Sequence, residues 1–365
     1  MKKFIGFVIL TIAVSSLAFA QPALPVNAPI QKGTIRTFAT GINNQSITID
    51  PFGNIWVASP IPQAVTEVAP SGAVLRVINQ LAAPNWLPGQ WAGPFSIASD
   101  PGGNIWVTAV VYTSERISDG WGHFHRMTEV HAIKIAPTGL IAGNFSVANS
   151  FTDEWIPKIL ADPMSNVFIS SSSDRLGAGV ISKLDGMGIV QGIVKISSRI
   201  YGLAIDRANG NTWGSNTMSD DIYGISPTGA MLGPINTHHA STGIAIDQTG
   251  NFWVGGNAHE IEKISPSGEI LVVTPIQNNT GDGPRVVKVD GAGNVWAVNQ
   301  SNQPNQSSAV IELNPQGTII ATYPMPNATD LAIDKHGNVW VVNTLSFGNN
   351  LYEIIGVATG PQYSP

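Results

Sequence analysis

Short apolar runs alternate along the chain with turn-forming clusters, and one unit recurs throughout. It reads apolar-small-apolar-Asp, then a turn ending in Asn, then apolar-Trp-apolar. Its first copy is Ile47-Thr48-Ile49-Asp50-Pro51-Phe52-Gly53-Asn54-Ile55-Trp56. The second runs Ile97 to Trp106, and the third, Asp162 to Phe168, has Phe for Trp. The fourth, Asp206 to Trp213, carries one extra residue, and Asp247 to Trp253, Asp290 to Trp296 and Asp334 to Trp340 complete the series. The turn residues Asn54, Asn104, Asn166, Asn211, Asn251, Asn294 and Asn338 are spaced 40 to 62 apart. Spacings of this size mark an array of supersecondary units.

Each unit predicts four antiparallel strands. In an Asp-Pro-x-Gly turn, Asp accepts hydrogen bonds from the backbone ahead, Pro presets φ and Gly takes positive φ. β-prone runs on both sides make it a hairpin. A third strand follows, as in Glu260-Ile261-Glu262-Lys263-Ile264, then a second turn such as Ser265-Pro266-Ser267-Gly268, then a fourth strand. Four short strands per unit fit a propeller blade. The predicted fold class is therefore all-β, a seven-bladed β-propeller. The seventh unit ends with its third strand, Leu351 to Ile355. Thr34-Ile35-Arg36-Thr37-Phe38, upstream of the first unit, is expected to supply the missing strand. Closure by this N-terminal strand removes two open sheet edges.

The repeat aromatics Trp56, Trp106, Phe168, Trp213, Trp253, Trp296 and Trp340 share one strand register. A large aromatic there fills the space between blades, so these are assigned to the core.

Composition narrows the function. Only 12% of the 365 residues are charged and the net charge is −6, which argues against disordered and nucleic-acid-binding classes. The chain has no Cys, excluding disulfides, thiolate zinc sites and cysteine nucleophiles. Lys2 and Lys3, an apolar run from Phe4 to Val14 and Ala18-Phe19-Ala20 have the layout of a cleaved export signal. The expected organisation is residues 1–20 signal peptide, 21–32 Pro-rich leader, 33–356 a single propeller and 357–365 a C-terminal tail. Secretion or a periplasmic location follows, with no membrane insertion after cleavage. A monomer is expected.

The Ile-Ala-x-Asp-x-x-Gly-Asn-x-Trp-Val unit resembles the NHL-like and streptogramin lyase (virginiamycin B lyase) group of β-propellers, over nearly all of residues 33–356. The resemblance implies a seven-bladed propeller. In the lyases it implies linearisation of a cyclic depsipeptide antibiotic, with magnesium, glutamates and a histidine near the central funnel. Repeats of that family commonly end the second strand in Phe-Thr-Glu. The corresponding triplets here run from Val57-Ala58-Ser59 to Val341-Val342-Asn343 and contain no Glu. No cofactor is expected, magnesium entering only with a lyase activity.

Stereotyped turns occupy one face of such a propeller, and the connections of variable length occupy the other, where function gathers. The second unit's insertion, Tyr112 to Met127, holds Arg116, Trp121, His123 and His125. Trp86, Trp91 and Trp155 are expected beside it, giving an aromatic and imidazole cluster that suits a sugar, peptide or aromatic ligand. His123-x-His125 would put both rings on one side of a strand, but spacing fixes no third metal ligand. His238 and His239 precede the fifth inner strand, and Arg285 opens the sixth. Lys288 stands where other inner strands carry Thr48, Ala98, Leu160, Ala204, Ala245 and Ala332, and Lys158 where they carry Ser46, Gly202 and Gly243. Both imply a wet channel or a nearby carboxylate such as Asp330.

No catalytic or metal-ligating residue is assigned. P-loop, HExxH, Gly-x-Ser-x-Gly and dinucleotide signatures are missing. The favoured expectation is a binding module for an extracytoplasmic peptide, glycan or protein. A lyase or hydrolase on the same scaffold and a structural envelope or secreted protein are the alternatives.

Overall fold

The computed structural model describes residues 31–40, 44–82, 91–118, 124–150, 157–173, 178–196, 199–276, 283–300, 308–344 and 350–361. The proposed signal and most of the leader lie outside this range. Residues 32–361 belong to one compact unit.

The unit consists of seven antiparallel sheets, and no helix occurs among the described residues. Six sheets follow the order first-second-third-fourth strand along the chain or its closed equivalent; the second has a split inner strand, Trp91–Ala92 and Ile97–Ser99, both paired with Ile105–Ser118. The inner strands of the other blades are Ser46–Ile49, Lys158–Ala161, Ile200–Ile205, Ser241–Ile246, Gly283–Val289 and Ala328–Ile333. The ring closes as predicted. Ile35–Ala39 pairs antiparallel with Asn350–Ile354, register Phe38↔Leu351, and completes the seventh blade. Phe38 stacks on Trp340 with ring centroids 5.8 Å apart. Arg36 Nε donates to Glu353 Oε2 at 2.6 Å.

The repeated turn explains the motif. Asp50 Oδ1 accepts from the backbone N–H of Phe52 at 2.9 Å and of Asn54 at 2.8 Å. Its Oδ2 accepts from the Asn54 amide at 3.3 Å and from Trp56 Nε1 at 2.9 Å. Gly53 adopts φ 93°, which a side chain would resist. One carboxylate thus holds the turn and anchors the indole. Trp56, Trp106, Phe168, Trp253, Trp296 and Trp340 are each at most 1% exposed and sit in the clusters between blades. Burying an aromatic of this size contributes a few kcal/mol, by about 25 cal/mol per Å².

The tail expected at 357–365 is bonded as far as it is described. Ala358 N donates to Gly337 O at 2.9 Å and Thr359 N to Asp290 Oδ2 at 3.0 Å, which straps residues 357–361 across the turns of blades 6 and 7.

Candidate functional site

The inner strands enclose a channel along the propeller axis. Its half nearer the variable connections is a cavity of about 270 Å³, with lining from the inner edges of the blades, including Ser46, Ser96, Lys158, Thr242, Lys288 and Asp330. The half nearer the short turns shares Ile47, Ile97, Leu160, Arg207 and Lys288, and Pro361 of the tail reaches its rim.

Strand register turns the lining into rings. Thr48, Ala98, Leu160, Ala204, Ala245, Lys288 and Ala332 all pair with the repeat aromatic of their own blade. Lys288 is therefore the one charge in a ring of mostly small side chains, as its sequence position predicted. It is exposed to the channel, and among the described residues no acid pairs with it. Two positions nearer the variable connections, Lys158 and Asp330 occupy the next ring. Lys158 Nζ sits 5.4 Å from the Tyr201 ring centroid.

Asp330 does not pair with either lysine. Its Oδ2 accepts from Ser46 Oγ at 2.8 Å and Ile47 N at 3.2 Å, and its Oδ1 from Leu331 N at 2.9 Å. The carboxylate is spent clasping the last blade to the first. Of the two sequence options, pairing with Asp330 is the one the geometry does not take. Among the described residues, the half nearer the variable connections is lined by Lys158, Arg207, Arg285 and Lys288 against the single acid Asp330.

The other predicted residues divide. Trp91 is 8% exposed and packs with Trp56, Leu81, Ile97 and Val111 in the core between blades 1 and 2. It does not stand in an open groove. The Tyr112–Met127 insertion is a strand extension: Arg116 pairs with Arg126 and Ile117 with His125 in a prolonged hairpin. The side chains of Arg116 and His125 lie outside the described residues, as do Trp86, Trp121, His123 and Trp155. Arg285 lines the channel. His238 and His239 do not face the channel lining. Their rings, 6.3 Å apart, meet two glutamates of the third strand of blade 5: His239 Nε2 lies 2.7 Å from Glu260 Oε1, and His238 Nδ1 3.2 Å from Glu262 Oε1. Sequence reasoning missed both glutamates. The available signal was their spacing of two on a strand, which puts both on one face.

The channel's donor set does not fit magnesium. Magnesium binds through carboxylates in near-octahedral oxygen geometry. The second-strand ends present Ser59, Ala109, Ser171, Asn216, Gly256, Asn299 and Asn343, and the carboxylates that line the channel, Asp330, Asp50 and Asp334, are already engaged by Ser46, by their own turns and by the repeat indoles.

Comparison with known proteins places the fold. The chain superposes on virginiamycin B lyase from Staphylococcus aureus with a TM-score of 0.64 at 13% identity, over 88% of this chain and 99% of that one. A catalytically inactive variant of the S. aureus enzyme with quinupristin gives 0.65 at 14%, over 88% and 99%. A streptogramin B lyase gives 0.63 at 15%, over 88% and 96%. No protein-family model matches the chain, and no curated protein matches it. The chain has a streptogramin lyase-like β-propeller fold, built of seven blades.

Proposed function

We propose that this protein is an exported binding module whose channel mouth takes the anionic group of an extracytoplasmic peptide, glycan or protein. The observation that carries the reading is Lys288: a cation with no acid paired to it among the described residues, set among small side chains inside a cavity of about 270 Å³. Low-dielectric walls focus the field of such a charge, which raises the local concentration of oppositely charged ligands. Lys158 and Arg285, nearer the variable connections, extend the same potential toward the mouth. The ligand enters on the variable face, where the hairpin of blade 2 projects. The amino-terminal pattern of two lysines, an apolar run and a small-residue cleavage site supports secretion or a periplasmic location. The acidic net charge and the lack of a basic stripe argue against nucleic acid. Nothing in the reading requires a second subunit.

A lyase-like activity draws support from the fold alone. The donors described above do not suit its metal, so no reaction step is routed through one.

The test is a thermal-shift screen of the mature chain with citrate, triglutamate and trigalacturonate against maltotriose and trilysine, each with and without magnesium and EDTA. Acid-bearing probes are expected to raise the melting temperature in a salt-sensitive manner, independent of magnesium. Stabilisation by maltotriose equal to that by trigalacturonate, or none by any anion, overturns the reading.

A further inference from the structure

A second constellation stands apart from the channel, where the connection from blade 4 meets the third strand of blade 5, Glu260–Ile264. His239, Glu260 and Glu262 bring one imidazole nitrogen and two carboxylate oxygens within 4.8 Å of one another. His239 and Glu260 reach solvent, with side chains 50% and 18% exposed, while the Glu262 side chain is 3% exposed.

Glu262 is out of place by register. It pairs with Val254, and the equivalent positions of the other blades hold Thr66, Ile133, Ser182, Tyr223, Ile311 and Tyr352. Blade 5 alone puts a carboxylate there, and a buried charge is costly unless a counter-charge or a metal compensates it. His238 compensates in part: its backbone N–H donates to Glu262 Oε2 at 3.3 Å. Its ring Nδ1 approaches Oε1 to 3.2 Å, yet Oε1 has no hydrogen bond of proper alignment.

An independent observation comes from Ser241, the first residue of blade 5. It is 2% exposed, and its hydroxyl is buried with no hydrogen-bond partner among the described residues. Ser241, His239, Glu260 and Glu262 line one small cavity, with room for about a single water-sized occupant. Two unsatisfied buried oxygens, one of them a carboxylate, border that space.

We propose that His239, Glu260 and Glu262 form a binding site for a divalent transition-metal ion of the zinc class. Imidazole with carboxylate suits zinc and its neighbours, whereas calcium and magnesium call for all-oxygen shells. At zinc bond lengths, tetrahedral donors stand roughly 3.4 Å apart, so His239 and Glu260, now 2.7 Å apart, must open slightly as Glu262 is brought into the same shell. The two more exposed side chains have the freedom to do so. Three protein ligands leave a fourth position for water, and the Ser241 hydroxyl supplies a polar partner beside it. His238, against Glu262, is an orienting neighbour of the kind that tunes metal ligands. The site shares no ligand with the channel, so it stands or falls separately from the anion-binding reading.

The test uses the untagged, EDTA-stripped mature chain, titrated with Zn²⁺ by calorimetry and by melting temperature, with Mg²⁺ and Ca²⁺ as comparisons. One Zn²⁺ per chain, a raised melting temperature and no comparable effect of Mg²⁺ or Ca²⁺ are expected. His239→Asn and Glu260→Gln, at the two more exposed ligands, are each expected to weaken Zn²⁺ binding more than about a hundredfold, beyond the loss from removing an outer partner, while leaving the metal-free melting temperature unchanged. No zinc binding, equal binding by both variants, or equal binding of Mg²⁺ overturns the site.

Discussion

Trp106 Nε1 donates to Asp100 Oδ2 at 3.0 Å, across the hairpin turn that opens blade 2. The same bond joins Trp56 to Asp50, Trp253 to Asp247, Trp296 to Asp290 and Trp340 to Asp334, at 2.9 to 3.3 Å. It stops at blade 4, where one extra residue separates Asp206 from Trp213 and no such bond forms. Trp213 is correspondingly 8% exposed. A buried indole N–H needs an acceptor, so turn length and core packing are coupled through one carboxylate.

Asp100→Ala removes the acceptor for the indole, the Asn104 amide and the Asn104 backbone N–H together. The expected loss is about 2–4 kcal/mol, from several buried donors left unmade. Asp206→Ala, in the exposed turn of blade 4, is expected to cost less than about 1 kcal/mol. Thermal melting of both variants checks the contrast; equal losses would sink the coupling.

Removing residues up to Ala39 strips the outer strand from blade 7 and bares the edge of Asn350–Ile354. An unpaired edge recruits other chains. Light scattering should show oligomers, with a lower melting temperature. A monomer that melts like the intact chain would contradict ring closure as a source of stability.

Glu312 differs from its counterparts in blades 1 and 7. Glu67 faces Arg76, and Glu353 faces Arg36, but Ala321 lies opposite Glu312. Burial, then the nearby Asp290 charge, pushes the Glu312 carboxyl above the ordinary range. A group raised in the folded state favours folding below its unfolded pKa, and that contribution is lost as pH rises through the folded value. Ala321→Arg should therefore stabilise the protein at pH about 7 by up to about 1 kcal/mol and have little effect near pH 4, where Glu312 is protonated. Melting curves at the two pH values test it, and a gain equal at both would show that the carboxylate is not its source.

Lys288→Ala removes a side chain with no partner among the described residues, so stability should hold within about 0.5 kcal/mol. Stabilisation by triglutamate or citrate should fall several-fold. Unchanged response to both anions would remove Lys288 from the binding site.

The blades, their order and the closing strand were legible because each rests on local chemistry. Asp-x-x-Gly-Asn turns and alternating apolar runs need no distant partner, and the closing strand, expected at 34–38, falls at Ile35–Ala39. Lys288 was legible for the same reason: the repeat supplies six internal comparisons for its register. Trp91 was not, because a two-residue strand within Pro- and Gly-rich sequence carries no periodicity, and its burial depends on blade 1 packing beside it.

The amino-acid order by itself determined the number of blades, the aromatic core and the direction in which inner-strand side chains point. Those follow from turn geometry and from the period of two along a strand. Tertiary structure alone decided that Asp330 serves Ser46 and Ile47 rather than a lysine, and that His239 meets Glu260 and Glu262. Such partners sit on different strands or blades, so their meeting depends on how sheets twist and stack around the axis. A residue's type and its place in a repeat do not encode that distance.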